Sequence, residues 1–236
     1  MSDLETKIRE VKERIKTAAA KSGRDELEIT VVAASKLQSA EKVNQALLSG
    51  IKHFGENKVQ EAEQKLPLIT APYDGFHFIG HLQTNKVKQL LLLNPCLIHS
   101  VDSLHLAKAI SDEAVKLHKR QDILLEVNTS GEASKYGFPI LDLEAGAIAM
   151  TKMPGLRVKG LMTVARMSDN PEDSRKDFRL LKSLAECLAR HNLPDLDMHW
   201  LSMGMSNDFE IAIEEGSNLV RLGTAIFGPR IKPEKA

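Results

Sequence analysis

The chain has 236 residues, 42% of them hydrophobic and 27% charged, and its 32 lysines and arginines are balanced by 32 aspartates and glutamates. This composition excludes wholesale disorder and gives no basic excess with which to grip a nucleic-acid backbone. The only two cysteines, Cys96 and Cys187, stand far apart in no metal-ligand spacing and read as reduced thiols.

The first predicted element is a helix. Leu4, Ile8, Val11, Ile15 and Ala19 recur at steps of three and four; Ser2 or Asp3 can cap its start and Gly23 stops it. The first 25 residues are charged throughout and lack the apolar core of a signal peptide, and the aliphatic run Leu90 to Leu93 is too short to cross a bilayer. A soluble cytoplasmic protein with no membrane partner is therefore predicted.

After the helix, short β-branched or apolar runs alternate with longer segments of helical period. The predicted strands are 28–35, 51–56, 75–82, 96–101, 122–128, 156–164, 197–203 and 218–227, with helices between them such as Ser39–Leu48, Lys58–Lys65, Ser103–Lys119 and Glu172–Arg190. Eight strands strictly alternating with helices imply parallel pairing through right-handed crossovers, and the length suits a (β/α)8 TIM barrel. An open doubly wound sheet is the alternative. No linker or shift in composition marks a boundary, so residues 1–236 are predicted to form a single domain; the polar stretch 167–175 reads as a loop after strand six.

In such barrels the active face is built from the C-terminal ends of the strands. Lys36 stands directly after strand one, either as a solvated lysine or as a desolvated amine that attacks carbonyls. Strand seven ends in Ser202-Met203-Gly204-Met205-Ser206-Asn207 ahead of a helix from about Phe209, and strand eight in Arg221-Leu222-Gly223-Thr224 with Gly228 closing the turn. Backbone N–H groups at Gly204 and Gly223 and hydroxyls of Ser206 and Thr224 suit an anion. The bland alternative is that Ser206 or Asn207 caps the helix, Asn207 in a capping box with Glu210. Leu219, Arg221 and Gly223 share one strand face, so if Gly223 faces the ligand Arg221 points into the barrel as well; it then meets either a ligand or a structural partner, Glu56 and Glu126 being the candidates. His77 and His81 are spaced four apart, as zinc ligands on a helix would be, but lie in a strand run. His81 and His99, near strand ends, suit the core or a supporting position better than a ligand contact. No metal site is predicted.

The segments Ala34-Ser35-Lys36, Phe54-Gly55-Glu56-Asn57 with Val59-Gln60-Glu61, and His77-Phe78-Ile79-Gly80-His81-Leu82-Gln83 with Asn85-Lys86 resemble the pyridoxal phosphate homeostasis protein family. So do His99-Ser100-Val101-Asp102, Val127-Asn128, Ser134-Lys135-Tyr136-Gly137, Gly160-Leu161-Met162, Leu201 through Ser206 and Val220 through Gly228. The resemblance runs over nearly the whole chain in order. It implies a barrel similar to the N-terminal domain of alanine racemase, a fold-type III binder of pyridoxal 5′-phosphate (PLP). It further implies that Lys36 carries PLP as an internal aldimine, that Ser206, Gly223 and Thr224 with the backbone around Met205 hold the phosphate, that Arg221 faces the pyridine nitrogen, and that Asn57 lies near the ring. Ser202 is counted with the same cofactor-binding set. Many members carry proline at the position of His81.

The function so implied is a non-catalytic carrier or regulator in PLP (vitamin B6) and amino-acid homeostasis, a monomer with PLP and PLP-dependent apoenzymes as partners. The alternative is a PLP-dependent racemase or decarboxylase. Racemisation by two bases needs a second acid/base group opposite Lys36, supplied in alanine racemases by a tyrosine of an additional domain. The chain ends just after strand eight, and its tyrosines, Tyr73 and Tyr136, fall at no predicted strand end, which favours the carrier. A third reading, a phosphorylated-sugar aldolase, has Lys36 forming an imine with substrate instead.

Overall fold

The computed structural model describes residues 2–132, 134–166 and 168–229. Eight strands form a closed parallel barrel in sequential order. They are β1 (Thr30–Ala34), β2 (His53–Glu56), β3 (Gly75–Phe78), β4 (Leu97–Val101), β5 (Gln121–Glu126), β6 (Leu156–Met162), β7 (Leu196–Ser202) and β8 (Leu219–Leu222). Closure comes from β1 and β8, where Val32 lies opposite Arg221. The open doubly wound sheet is thereby ruled out.

The helices are α1 (Asp3–Lys21), α2 (Ala40–Leu48), α3 (Val59–Lys65), α4 (Val87–Leu92), α5 (Leu104–Lys116), α6 (Ile140–Thr151), α7 (Arg175–Ala189), α8 (Phe209–Glu214) and α9 (Thr224–Phe227). Local chemistry sets their ends. Ser2 and Glu5 form a reciprocal capping box at the start of α1, with bonds of 3.2 and 2.7 Å. Ser39 and Ser103 cap α2 and α5 in the same sense, accepting from Lys42 N and Leu106 N. The apolar stripe of α1, Ile8, Val11, Ile15, Ala18 and Ala19, is buried, and α1 packs against α8 and α9.

Apolar burial falls in two layers, as the strand period of two requires. The larger core lies between strands and helices and includes Phe54, Phe78, Phe178 and Phe209. Inside the barrel Val32, Leu97, Leu124, Met162 and Leu219 form a second cluster, with Trp200 against it. Gly160, at φ +147°, marks a register shift between β6 and β7; a Cβ there would sit 1.9 Å from the Trp200 carbonyl oxygen.

Most boundaries shift by one to three residues from the sequence reading, and three of the shifts have a clear physical cause. Strand 218–227 stops at Leu222, because the chain turns at Gly223 into the single-turn α9. Run 75–82 stops at Phe78, since Gly80 crosses so close to Asn57 that a Cβ would lie 2.2 Å from its carbonyl oxygen. Segment 172–190 begins as a 3₁₀ turn, Pro171–Ser174, before α7. Met167, at the head of the polar loop, and residues 230–236 of the expected 1–236 domain lie outside the described residues. No helix among the described residues is long and apolar enough to cross a membrane.

Candidate functional site

At the C-terminal end of the strands the loops enclose a cavity of about 410 Å³, a size that suits a small molecule. Of the predicted site residues, Lys36, Asn57, Met205, Ser206, Arg221, Gly223 and Thr224 all line it. Ser202 does not; it is fully buried beneath Arg221.

Lys36 follows β1 on a short segment held from behind. The Ser35 N–H donates to the Gly55 carbonyl at 3.0 Å, and the Ser35 hydroxyl to Glu56 Oε1 at 2.6 Å. Lys65, buried on α3, donates to the Ser35 carbonyl at 2.8 Å and pairs with Glu56 and, at 3.2 Å, with Glu61. Glu61 Oε1 in turn accepts from Leu37 N at 2.6 Å. Leu37 sits at φ +63°, a left-handed conformation that this clamp stabilises. Burial raises the pKa of Glu56, whose Oε2 has no partner among the described residues. Glu56 thus serves Lys65 on the outer side of the barrel, which corrects its reading as a candidate partner of Arg221.

Arg221 reaches inward from β8, as the alternation with Leu219 predicts. It donates to the Ser202 carbonyl at 2.7 Å, the Ser202 hydroxyl at 2.5 Å and the Thr163 carbonyl at 2.9 Å. These acceptors are neutral, and burial pushes the guanidinium pKa down to about 10. Glu126 interacts with it through charge alone, and desolvation lifts that carboxyl to about 7. The three bonds leave two of a guanidinium's five N–H groups for the cavity that Arg221 lines.

The loops after β7 and β8 meet through Ser206, whose hydroxyl oxygen accepts from Gly223 N at 3.2 Å and Ala225 N at 3.1 Å. Two backbone donors therefore converge on one oxygen at the cavity wall. Ser206 does not cap α8, and neither does Asn207. The cap position belongs to Asp208, whose carboxylate accepts from Met205 N at 2.7 Å, while Glu210 pairs with Arg14. Gly204 also differs from expectation. It is buried at φ +94°, and a Cβ would meet Ala212 Cβ at 2.6 Å, so its glycine serves the packing of α8.

Several lining residues escaped the sequence reading. Lys135 and Arg166 add positive charge from the loops after β5 and β6. Lys135 donates to the Ala165 carbonyl at 2.9 Å and pairs with Glu132, and Arg166 pairs with the buried Asp177. The signal available was the Ser134-Lys135-Tyr136-Gly137 motif and the polar stretch beginning next to Arg166. Tyr136 also reaches this face of the barrel, stacked on His81 at 3.9 Å between ring centroids, with His81 3.2 Å from Asp102. His99 is fully buried and does not line the cavity.

The family model for the alanine racemase N-terminal domain matches residues 7–231, which places the chain in that class of barrels. Within the class, the chain is 41% identical over 224 residues to the pyridoxal phosphate homeostasis protein of Aquifex aeolicus, covering 95% of this chain and 97% of that one. It is 35% identical to the pyridoxal phosphate homeostasis protein of Escherichia coli K12, covering 98% of each chain. The chain belongs to the pyridoxal phosphate homeostasis protein family. Among solved structures it is similar to PipY of Synechococcus elongatus PCC7942 with PLP bound, at a TM-score of 0.77 and 32% identity, covering 85% of this chain and 93% of that one.

Proposed function

We propose that the cavity binds PLP, that Lys36 Nζ is the point of covalent attachment, and that the protein acts in intracellular PLP homeostasis as a non-catalytic carrier. The observation that carries this reading is Arg221: a guanidinium buried in the barrel, held by neutral acceptors, with N–H groups left for the cavity that Lys36 enters. A buried cation with unused donors suits a ligand atom with a lone pair. The donor set fits PLP at both ends. The N–H groups that converge on Ser206 suit a phosphate oxygen, and Ser206 and Thr224 add hydroxyls.

When bound, PLP supplies an aldehyde that an amine can capture and a ring that can accept electron density. The chain's own groups then have distinct tasks. Ser206, Gly223, Thr224 and the backbone around Met205 anchor the phosphate, and Asn57 borders the ring. The clamp of Lys65, Glu56 and Glu61 fixes the segment that carries Lys36. Arg221 donates toward the pyridine nitrogen and so disfavours its protonation. That weakens the cofactor as an electron sink and supports storage over carbanion chemistry. Its similarity to relatives named for PLP homeostasis supports the same role.

The test is an absorbance titration of the purified protein with PLP beside the Lys36→Ala variant. A visible band that appears with wild type and is missing in the variant is expected. Failure of wild type to take up PLP, or a band retained by the variant, overturns the reading.

A further inference from the structure

The interior of a barrel of this kind is ordinarily filled by apolar layers. Here a polar seam crosses it. His53 Nδ1 lies 3.0 Å from His77 Nε2, His77 Nδ1 lies 2.9 Å from His99 Nε2, and His99 Nδ1 lies 2.9 Å from the Ser202 hydroxyl. Arg221 closes the series on Ser202. The seam passes from the start of β2 through β3 and β4 to the ends of β7 and β8, from the lower mouth of the barrel to the wall of the cavity.

Its direction can be deduced. Arg221 has protons only to give, so Ser202 Oγ accepts from it; the buried hydroxyl's own proton then has His99 Nδ1 as its acceptor among the described residues, and satisfying it sets the direction. His99 must then carry its proton on Nε2 and donate to His77 Nδ1. His77 likewise donates from Nε2 to His53 Nδ1, leaving His53 Nε2–H at the open end. Burial keeps the inner rings neutral, His77 down at about 3 and His99 well below the ordinary range, with His53 and Arg221 adding positive-charge repulsion. His53 alone of the three is half-buried.

We propose that His53, His77, His99 and Ser202 form a one-directional relay, locked in a single set of tautomers by Arg221, that transmits protonation at the lower mouth of the barrel to the cavity. With a proton on both nitrogens of His53, its Nδ1–H faces His77 Nε2, which must become an acceptor. The His77 proton then sits on Nδ1 and faces His99 Nε2, and the His99 proton moves to Nδ1 and faces Ser202 Oγ. The net change is one proton gained at His53, with one proton relocated within each inner ring. Ser202 then accepts from both His99 and Arg221, and its own proton loses its acceptor beneath the cavity.

At the lower mouth His53 is opposed by burial and by Lys52 and favoured by Asp74. The Cys96 sulfur is turned inward against Gly75, and burial holds the thiol neutral, up to about 12, although the residue as a whole is exposed. At the upper end Glu126 and Asp208 act on Arg221. Gly75 makes room for the first link, since a Cβ there would sit 2.7 Å from His53 Nδ1 and 3.2 Å from His77 Nε2.

The experiment is nitrogen NMR of the ¹⁵N-histidine-labelled protein without added ligand, titrated from neutral to acid pH. The expected result is Nε2–H for all three rings at neutral pH. On acidification His77 and His99 should stay neutral yet convert to Nδ1–H at the midpoint at which His53 gains its proton. In His53→Asn that conversion should be lost, and in Gly75→Ala His53 should titrate while His99 keeps its tautomer. The proposal is overturned if His99 carries Nδ1–H at neutral pH, if it keeps Nε2–H while His53 titrates in wild type, or if His53→Asn leaves the conversion in place. His53 lies at the half-buried mouth, so its variant tests the relay even if Gly75→Ala does not fold. PLP takes no part in the measurement, so this result and the binding result stand separately.

Discussion

The buried amine of Lys65 donates to the carbonyl of Ser35 at 2.8 Å, one residue before Lys36. The same amine is balanced by Glu56 and Glu61, and Glu61 also holds the N–H of Leu37, one residue after Lys36. The lysine at the cavity is thus gripped through its backbone on both sides by an ion cluster on the outer face of the barrel. Lys65→Met should leave Glu56 buried without its cation, at a cost of about 3–5 kcal/mol. Chemical denaturation should show that loss at neutral pH. It should shrink as pH falls through the raised Glu56 pKa and the carboxyl becomes neutral.

Glu126 gives the protein a second acid-side signature. Its carboxyl titrates at about 7 in the fold against an ordinary 4.5, so the folded state binds more protons between those values. Stability therefore falls as pH rises through this window, by about 3 kcal/mol for this group. Glu126→Gln should flatten that segment of the stability profile and leave the variant more stable than wild type at pH 8. An unchanged slope in that window, with the variant less stable than wild type, would show that Glu126 is held as a charged partner of Arg221.

Ser206→Ala removes the oxygen on which Gly223 N and Ala225 N converge. Two part-buried donors would lose their partner, costing about 1–3 kcal/mol. If phosphate is held at this place, PLP should bind the variant more weakly and so raise its melting temperature by less than it raises that of wild type at the same concentration. A thermal shift series with PLP reads both effects.

Gly204→Ala forces a side chain into φ +94° and against Ala212 Cβ at 2.6 Å. The change should destabilise by more than about 1 kcal/mol, because strain adds to the clash. Gly223→Ala should cost less, since its Cβ would meet only Ala34 atoms at 3.5 and 3.7 Å. Comparing the two melting temperatures checks the ranking.

The carrier reading predicts no exchange of amino-acid α-protons in deuterated water in the presence of PLP. Exchange that disappears in Lys36→Ala would show turnover and favour the racemase alternative. Tyr136, stacked on His81 at the mouth, would be the first residue to replace in that event.

Much of this architecture is written in local pattern. The stripe from Ile8 to Ala19, the serines before α1, α2 and α5, and eight apolar runs alternating with helices are one-dimensional signals, since helix and strand periods and caps depend on near neighbours. The inward direction of Arg221 followed from the same period of two once Gly223 was taken to face the ligand. Lys36, Asn57, Ser206, Gly223 and Thr224 were legible as strand-end residues and through the family resemblance, because a parallel barrel gathers such ends on one face. What tertiary structure alone decided is pairing between residues far apart in the chain. Glu56 turned to Lys65 and away from Arg221, Asp208 displaced Ser206 and Asn207 as the start of α8, and Gly204 proved to serve helix packing. Lys135 and Arg166 joined the cavity from separate loops, and three histidines on successive strands met inside the barrel. The neutral charge balance of the whole chain gave no hint of these pairings, because a charge count carries no distances and both attraction and desolvation depend on distance and burial.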